Sequence, residues 1–169
     1  PMSDRSARLA RSAAMASITV ALVLVALKSW ASWRTGSTAM LGSLADSALD
    51  LIASLATLTG VWIASMPADE DHRVGHGKAE ALAGLGQAVL IAGSALYLLK
   101  EAVLKLINPA PLEATTLGVG VMVFSIVLTA LLLLLQRHVV RRTGSTAIDA
   151  DALHYLSDLA VNAGIILTL

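Results

Sequence analysis

The chain has 169 residues, 56% of them hydrophobic and 14% charged, with a mean hydropathy of +0.75. That balance excludes a soluble domain with a polar surface, and a formal net charge of zero, with the charges gathered between long apolar runs, gives no support to a nucleic-acid or acidic-substrate partner. With no cysteine, disulfides and thiolate metal sites are excluded too.

Apolar runs of about 20 residues, the length a helix needs to cross the hydrocarbon core, predict an all-α polytopic membrane helix bundle. Pro1 ahead of Met2 reads as a remnant of tag removal. Residues 1–12, with Asp4, Arg5, Arg8 and Arg11, read as a cytoplasmic amino-terminal segment that lacks a signal-cleavage site. Residues 13–169 form the predicted transmembrane domain. Its spans run from Ala13 to Trp33, Met40 to Met66, Ala79 to Ile107, Thr115 to Gln136 and Thr146 to Leu169. Lys28 and Lys100 are expected to snorkel to the interface, and Glu101 with Lys105 to shield each other there. Most Lys and Arg flank one side (Arg5, Arg8, Arg11, Arg73, Lys78, Arg137, Arg141, Arg142), against Arg34 and Lys105 on the other. The positive-inside rule then places the amino terminus and both longer polar loops in the cytoplasm.

Spans two and five open on related segments. GSTAMLGSLADSALD from Gly36 aligns without gaps on GSTAIDADALHYLSD from Gly144, so that Asp46 falls on His154 and Asp50 on Asp158. The two spans run in opposite directions, the pattern of an inverted repeat of three helices plus three, with a site expected near the midplane. One half then has only two spans. Together with an end at IILTL, Ile165 to Leu169, inside an apolar run, this reads as five helices present of an expected six. Asp46 lies ten residues beyond Gly36, about 15 Å of helix, roughly half of a 30 Å hydrocarbon core.

On span two Ser43, Ser47, Asp50, Ser54 and Thr57 share one stripe with Asp46 beside them; on span five Asp151, His154, Asp158 and Asn162 do the same. Aspartates on a lipid-facing helix are costly, so these faces are expected to look inward. Asp46, Asp50, His154 and Asp158 make a four-ligand oxygen and nitrogen set suited to tetrahedral Zn²⁺, and metal entry would displace protons. Neutral Ser, Asn or Gln would hold helices together at lower cost, which disfavours a purely structural reading. Asp149 and Asp151, in the first turns of span five, are read as helix capping ahead of metal contact.

The polar loop PADEDHRVGHGKAE holds a second set. Asp69, His72 and His76 could supply three ligands, with Gly75 and Gly77 letting the loop fold round an ion and Glu80 capping the next helix or assisting; a merely solvated loop is the open alternative. His138, among Arg137, Arg141 and Arg142, reads as an interfacial residue.

On SLADSALD, PADEDHRVGHGKAE and ADALHYLSD, the chain resembles the cation diffusion facilitator family, in particular its bacterial zinc and ferrous-iron efflux branch. The resemblance covers nearly the whole chain. It implies six transmembrane helices, a homodimer in the bacterial inner membrane, and export of divalent metal against inward proton flow. Asp46, Asp50, His154 and Asp158 match the family's intramembrane transport site, and Asp69, His72 and His76 its loop site. The family's cytoplasmic ferredoxin-like domain has no counterpart in this sequence. Zn²⁺ is the expected cargo, with Fe²⁺, Cd²⁺, Co²⁺ and Mn²⁺ as competitors. Two rivals carry other chemistry. An intramembrane aspartyl protease needs two aspartates, but the Gly-x-Gly-Asp context is missing. A metal-sensing membrane protein would bind without transporting.

Overall fold

The computed structural model describes residues 4–67, 75–108 and 115–167. Its elements are all helical: α1 (Asp4–Thr35), α2 (Thr38–Ala64), α3 (Lys78–Ile107), α4 (Thr116–Thr143) and α5 (Thr146–Leu167). The five predicted spans are therefore five helices. Four of them, α1 to α4, are long and apolar enough to cross a membrane; α5 carries Asp149, Asp151 and Asp158 inside its apolar run. Two helices overrun their predicted spans. α1 begins at Asp4, so most of the expected amino-terminal segment is its first turns, and α4 continues past Gln136 through Arg137, Arg141 and Arg142. Hydropathy marks where the hydrocarbon ends, whereas the helix ends only where capping residues stop it.

Those stops explain the repeat. Gly36 has φ +62° and its N–H reaches the Ser32 carbonyl at 2.9 Å; Gly144 has φ +64° and its N–H reaches Val140 at 2.8 Å. Each glycine closes a helix in the left-handed conformation, which is costly for a residue with a Cβ. The next residue opens the following helix: Ser37 Oγ accepts from Met40 N, and Ser145 Oγ accepts from Ile148 N. The preceding threonine completes both corners, Thr35 and Thr143 each accepting the backbone N–H of that serine at 3.3 and 3.2 Å. The repeat thus extends back to Arg34 and Arg142, with RTGSTA in both copies.

α1 packs on α2 and α4, α4 on α5, and α3 lies outside these, against α2 and α5. Only 6% of the most apolar window of α3 is buried, against 28–33% in α1, α2 and α4, so α3 is peripheral. It is held close at Gly60, where an added Cβ would overlap Ala83 Cβ and come within 3.2 Å of the Ala79 carbonyl oxygen. Small residues permit such approach between membrane helices. The buried face of α1 alternates at three and four residues, Ala14, Ser17, Ala21, Leu24, Lys28 and Ala31.

An apolar cluster (Ala10, Ala13, Ala14, Val61, Val139, Ala147, Ile148) closes the end where α1 and α5 begin. Deeper in, the interior becomes polar: Ser17, Lys28, Ser47, Ser54, Thr57, Gln87, Gln136, Asp151 and His154 are all buried, while leucines such as Leu22, Leu55, Leu85 and Leu131 face outward. This inverted pattern is what a bilayer favours, since lipid solvates leucine and only protein can satisfy the polar groups.

Candidate metal centre

α2 and α5 run antiparallel, and their polar residues pair in a ladder that ascends one helix while descending the other. Asp50 meets His154 and Asp158, Ser54 meets Tyr155 through a 2.8 Å hydroxyl contact, and Thr57 meets Asp151 through a shared partner, Gln87. The three- and four-residue spacing that puts these groups on one face of each helix makes the ladder possible.

At the first rung, His154 Nε2 lies 2.7 Å from Asp50 Oδ1 and 3.4 Å from Asp158 Oδ2. One ligand atom from each of the three residues lies within 4.8 Å of the others. The imidazole is only 4% exposed. Among the described residues, His154 Nδ1 and Asp158 Oδ2 have no hydrogen-bond partner. Two acidic oxygens facing one imidazole nitrogen, with an acceptor left over, form a set short of positive charge. In tetrahedral coordination at about 2.0–2.1 Å, ligand atoms stand about 3.3 Å apart. The 3.4 Å pair already has that spacing, and the 2.7 Å pair would have to open by about 0.6 Å. The spacing of these three ligand atoms is therefore one that could hold a small divalent cation.

Of the expected intramembrane set, the structure brings Asp50, His154 and Asp158 together and leaves Asp46 out. Asp46 is exposed, one turn nearer the start of α2. Of the loop set, Asp69 and His72 lie outside the described residues. His76 stands half-buried just ahead of α3, its carbonyl accepting from Ala79 N at 2.9 Å. Gly75 does adopt a positive φ, +81°, whereas Gly77 is right-handed.

Three expectations are corrected. Lys28 does not snorkel: it is 6% exposed and its Nζ donates to Ser47 Oγ at 2.8 Å, because it falls on the buried stripe of α1. Asp151 does not cap α5. It is fully buried, accepting at Oδ2 from Ser17 Oγ and Gln136 Nε2, both at 2.6 Å, and at Oδ1 from Gln87 Nε2 at 2.9 Å. Glu80 caps α5 rather than its own helix, its Oε1 accepting from Ser145 Oγ and, at 3.4 Å, from Ala147 N. His138 is exposed, as its interfacial reading requires.

Sequence reasoning missed Gln87, Gln136 and Ser17 as partners of Asp151. The available signal was the lone neutral amide in each otherwise apolar run, and Ser17 spaced at seven-residue register with Leu24 and Ala31.

Residues 14–169 match the cation efflux transmembrane domain family. The chain is 50% identical over 131 residues to the cation-efflux pump FieF of Shewanella oneidensis, and 44% identical over the same length to those of Salmonella arizonae and Salmonella newport. In each case the match covers 78% of this chain and 44% of the relative, so the chain spans less than half the length of the curated relatives it matches. These matches leave the protease and sensor readings without support.

Proposed function

The chain belongs to the cation diffusion facilitator family, and we propose on that premise that it is the membrane domain of a secondary transporter that exports divalent metal, Zn²⁺ first, from the cytoplasm in exchange for protons. The observation that carries this reading is His154 Nε2 lying between the Asp50 and Asp158 carboxylates inside an apolar-coated bundle. Asp50, His154 and Asp158 grip the ion. Asp46, one turn along α2, supplies the fourth ligand once it turns inward. Because the imidazole must be neutral and the carboxylates ionised to bind metal, cargo and protons compete for the same atoms, and that competition couples their movements.

The same reading assigns Asp69, His72 and His76 to a second metal site in the cytoplasmic loop, and places the protein as a homodimer in the bacterial inner membrane with its amino terminus in the cytoplasm. The orientation rests on the asymmetry of Lys and Arg between the two sides. For the metal, three carboxylates and one imidazole suit Zn²⁺, while Fe²⁺, Cd²⁺, Co²⁺ and Mn²⁺ compete through the same ligands.

The test is flux. The intact protein in liposomes should move Zn²⁺ in response to a pH gradient, and both Asp50→Ala and His154→Ala should reduce that flux to the protein-free leak. Flux unchanged in either variant sinks the assignment.

A further inference from the structure

Lys28 has no part in gripping the ion, yet its amine is turned into the bundle. Its long stem could have carried the ammonium toward Trp33 and Arg34 at the end of α1. Instead Nζ donates to Ser47 Oγ at 2.8 Å. Ser47 is itself buried, adjoins Asp46 in sequence and lies three residues before Asp50. The hydrogen bond therefore seats the amine on the turn of α2 that carries Asp46 and Asp50. A buried ammonium in a membrane helix is costly unless something nearby needs its charge.

The charges show what needs it. Asp46, Asp50 and Asp158 bring three negative charges, and His154, neutral when it binds metal, brings none. Asp151 is a further buried carboxylate but not one of the ligand set: Ser17, Gln87 and Gln136 donate to its oxygens. Three carboxylates alone would be neutralised by a trivalent ion. With the ammonium counted, the deficit of the ligand set is two, the charge of the cargo.

Resting on the transport reading above, we infer that Lys28 is the built-in countercharge of the cargo site, a specificity-determining residue that sets its charge demand at two and keeps a bound divalent ion releasable. The ammonium repels the ion it helps to select. Removing it leaves the ligands in place and strengthens their hold, and it does so more for a triply than for a doubly charged ion, because the lost repulsion scales with the ion's charge.

The test is equilibrium binding of Zn²⁺ and, separately, Tb³⁺ to the purified protein in detergent. The variants are Lys28→Met, Lys28→Gln and Lys28→Arg, with folding checked by circular dichroism and size exclusion. Lys28→Met should bind Zn²⁺ at least about tenfold more tightly and shift the Tb³⁺ to Zn²⁺ preference toward Tb³⁺ by a further factor of about ten. Lys28→Gln, which can still hydrogen-bond Ser47, should behave like Lys28→Met. Lys28→Arg, which keeps the charge, should stay within about threefold of wild type. A purely structural tether would give the opposite sign, weaker zinc binding in the neutral variants with the ion preference unmoved. That outcome overturns the inference, as does failure of both neutral variants to fold while Lys28→Arg folds. Wild-type protein that binds Zn²⁺ and loses it in Asp50→Ala, with unchanged Lys28 variants, overturns the inference alone. Wild-type protein that binds no Zn²⁺ overturns the transport reading and the inference with it.

Discussion

Replacing Asp151 with alanine should loosen the bundle far more than replacing it with asparagine, and the hydrogen bonds say by how much. The carboxylate accepts from three helices at once, Ser17 on α1, Gln87 on α3 and Gln136 on α4. Alanine does not orphan all three donors equally. Gln87 Nε2 has two hydrogens and two further acceptors, the Ala53 carbonyl at 3.0 Å and Thr57 Oγ1 at 2.8 Å, so it loses nothing it cannot replace. Gln136 Nε2 keeps Ser17 Oγ at 2.7 Å for one hydrogen and loses the partner of the other. The Ser17 hydroxyl loses its acceptor. Two orphaned donors at about 1–3 kcal/mol each, partly offset by relief from burying a carboxylate, give a net loss of about 2–4 kcal/mol.

Asparagine keeps the shape and one acceptor, and its new N–H groups have somewhere to go. Gln87 Oε1 and Gln136 Oε1 are buried and have no hydrogen-bond partner among the described residues. Rotation of the amides lets them accept, so Asp151→Asn should stay within about 1 kcal/mol of wild type. In thermal unfolding of the detergent-solubilised protein, at about 2–4 °C per kcal/mol for a chain of this size, alanine should lower Tm by about 4–16 °C and asparagine by no more than about 4 °C. An asparagine variant as unstable as the alanine one would refute the reasoning, because charge rather than hydrogen bonding would then hold the cage. An alanine variant as stable as wild type would refute it from the other side.

Gly60→Val should separate α3 from α2, since the added carbons run into Ala83 and the Ala79 backbone, which cannot move aside as a flexible side chain can; a loss of about 1–3 kcal/mol is expected, read as lowered Tm and faster proteolysis at the α2–α3 connection. Gly36→Ala and Gly144→Ala should each cost about 1–2 kcal/mol although an added Cβ meets nothing within 4 Å at either position, because the cost lies in a positive φ; equal Tm values in wild type and both variants would contradict it. Zinc binding should weaken as pH falls and release protons to the medium. Calorimetry in two buffers of different ionisation enthalpy counts them, and a count of zero would remove the basis for exchange at the His154–Asp50 pair.

Much of this architecture was legible because a bilayer simplifies the code. Helices were legible as apolar runs, and the inward faces of α2 and α5 as stripes of Asp, Ser, Thr and His that lipid would not tolerate. The alignment of Gly36 on Gly144 carried more than it first showed. Its glycine and serine are the closing and opening residues of consecutive helices, so the repeat records two equivalent corners. It fixes the register of Asp50 and Asp158 relative to those corners, and their meeting follows from opposed directions. The correspondence of Asp46 with His154 misled in one respect. Equal position along the helix did not bring Asp46 to the imidazole, because the facing contact is between Asp50 and His154 and leaves Asp46 one turn away.

What stayed hidden depends on pairs between helices that sequence spacing does not join. Asp151 obeys a local rule, an acid in the first turns of a helix, and that rule lost to three donors from α1, α3 and α4, none within reach along its own helix. Glu80 likewise fits the start of α3 by sequence, yet serves the start of α5, where Ser145 and the Ala147 N–H need an acceptor. Lys28 is the instructive case. Its position on the seven-residue stripe of Ala14 and Ala21 was readable and pointed inward, while its long stem pointed to the interface. The stripe prevailed because the acidic face of α2 lies on its other side. An ammonium leaves the interior only when the water outside offers more than the partners within, and here Ser47, between Asp46 and Asp50 in sequence, accepts from it. The residues that set the charge of this site are therefore drawn from three helices, α1, α2 and α5, and only the last two carry the aligned pairs Asp46/His154 and Asp50/Asp158.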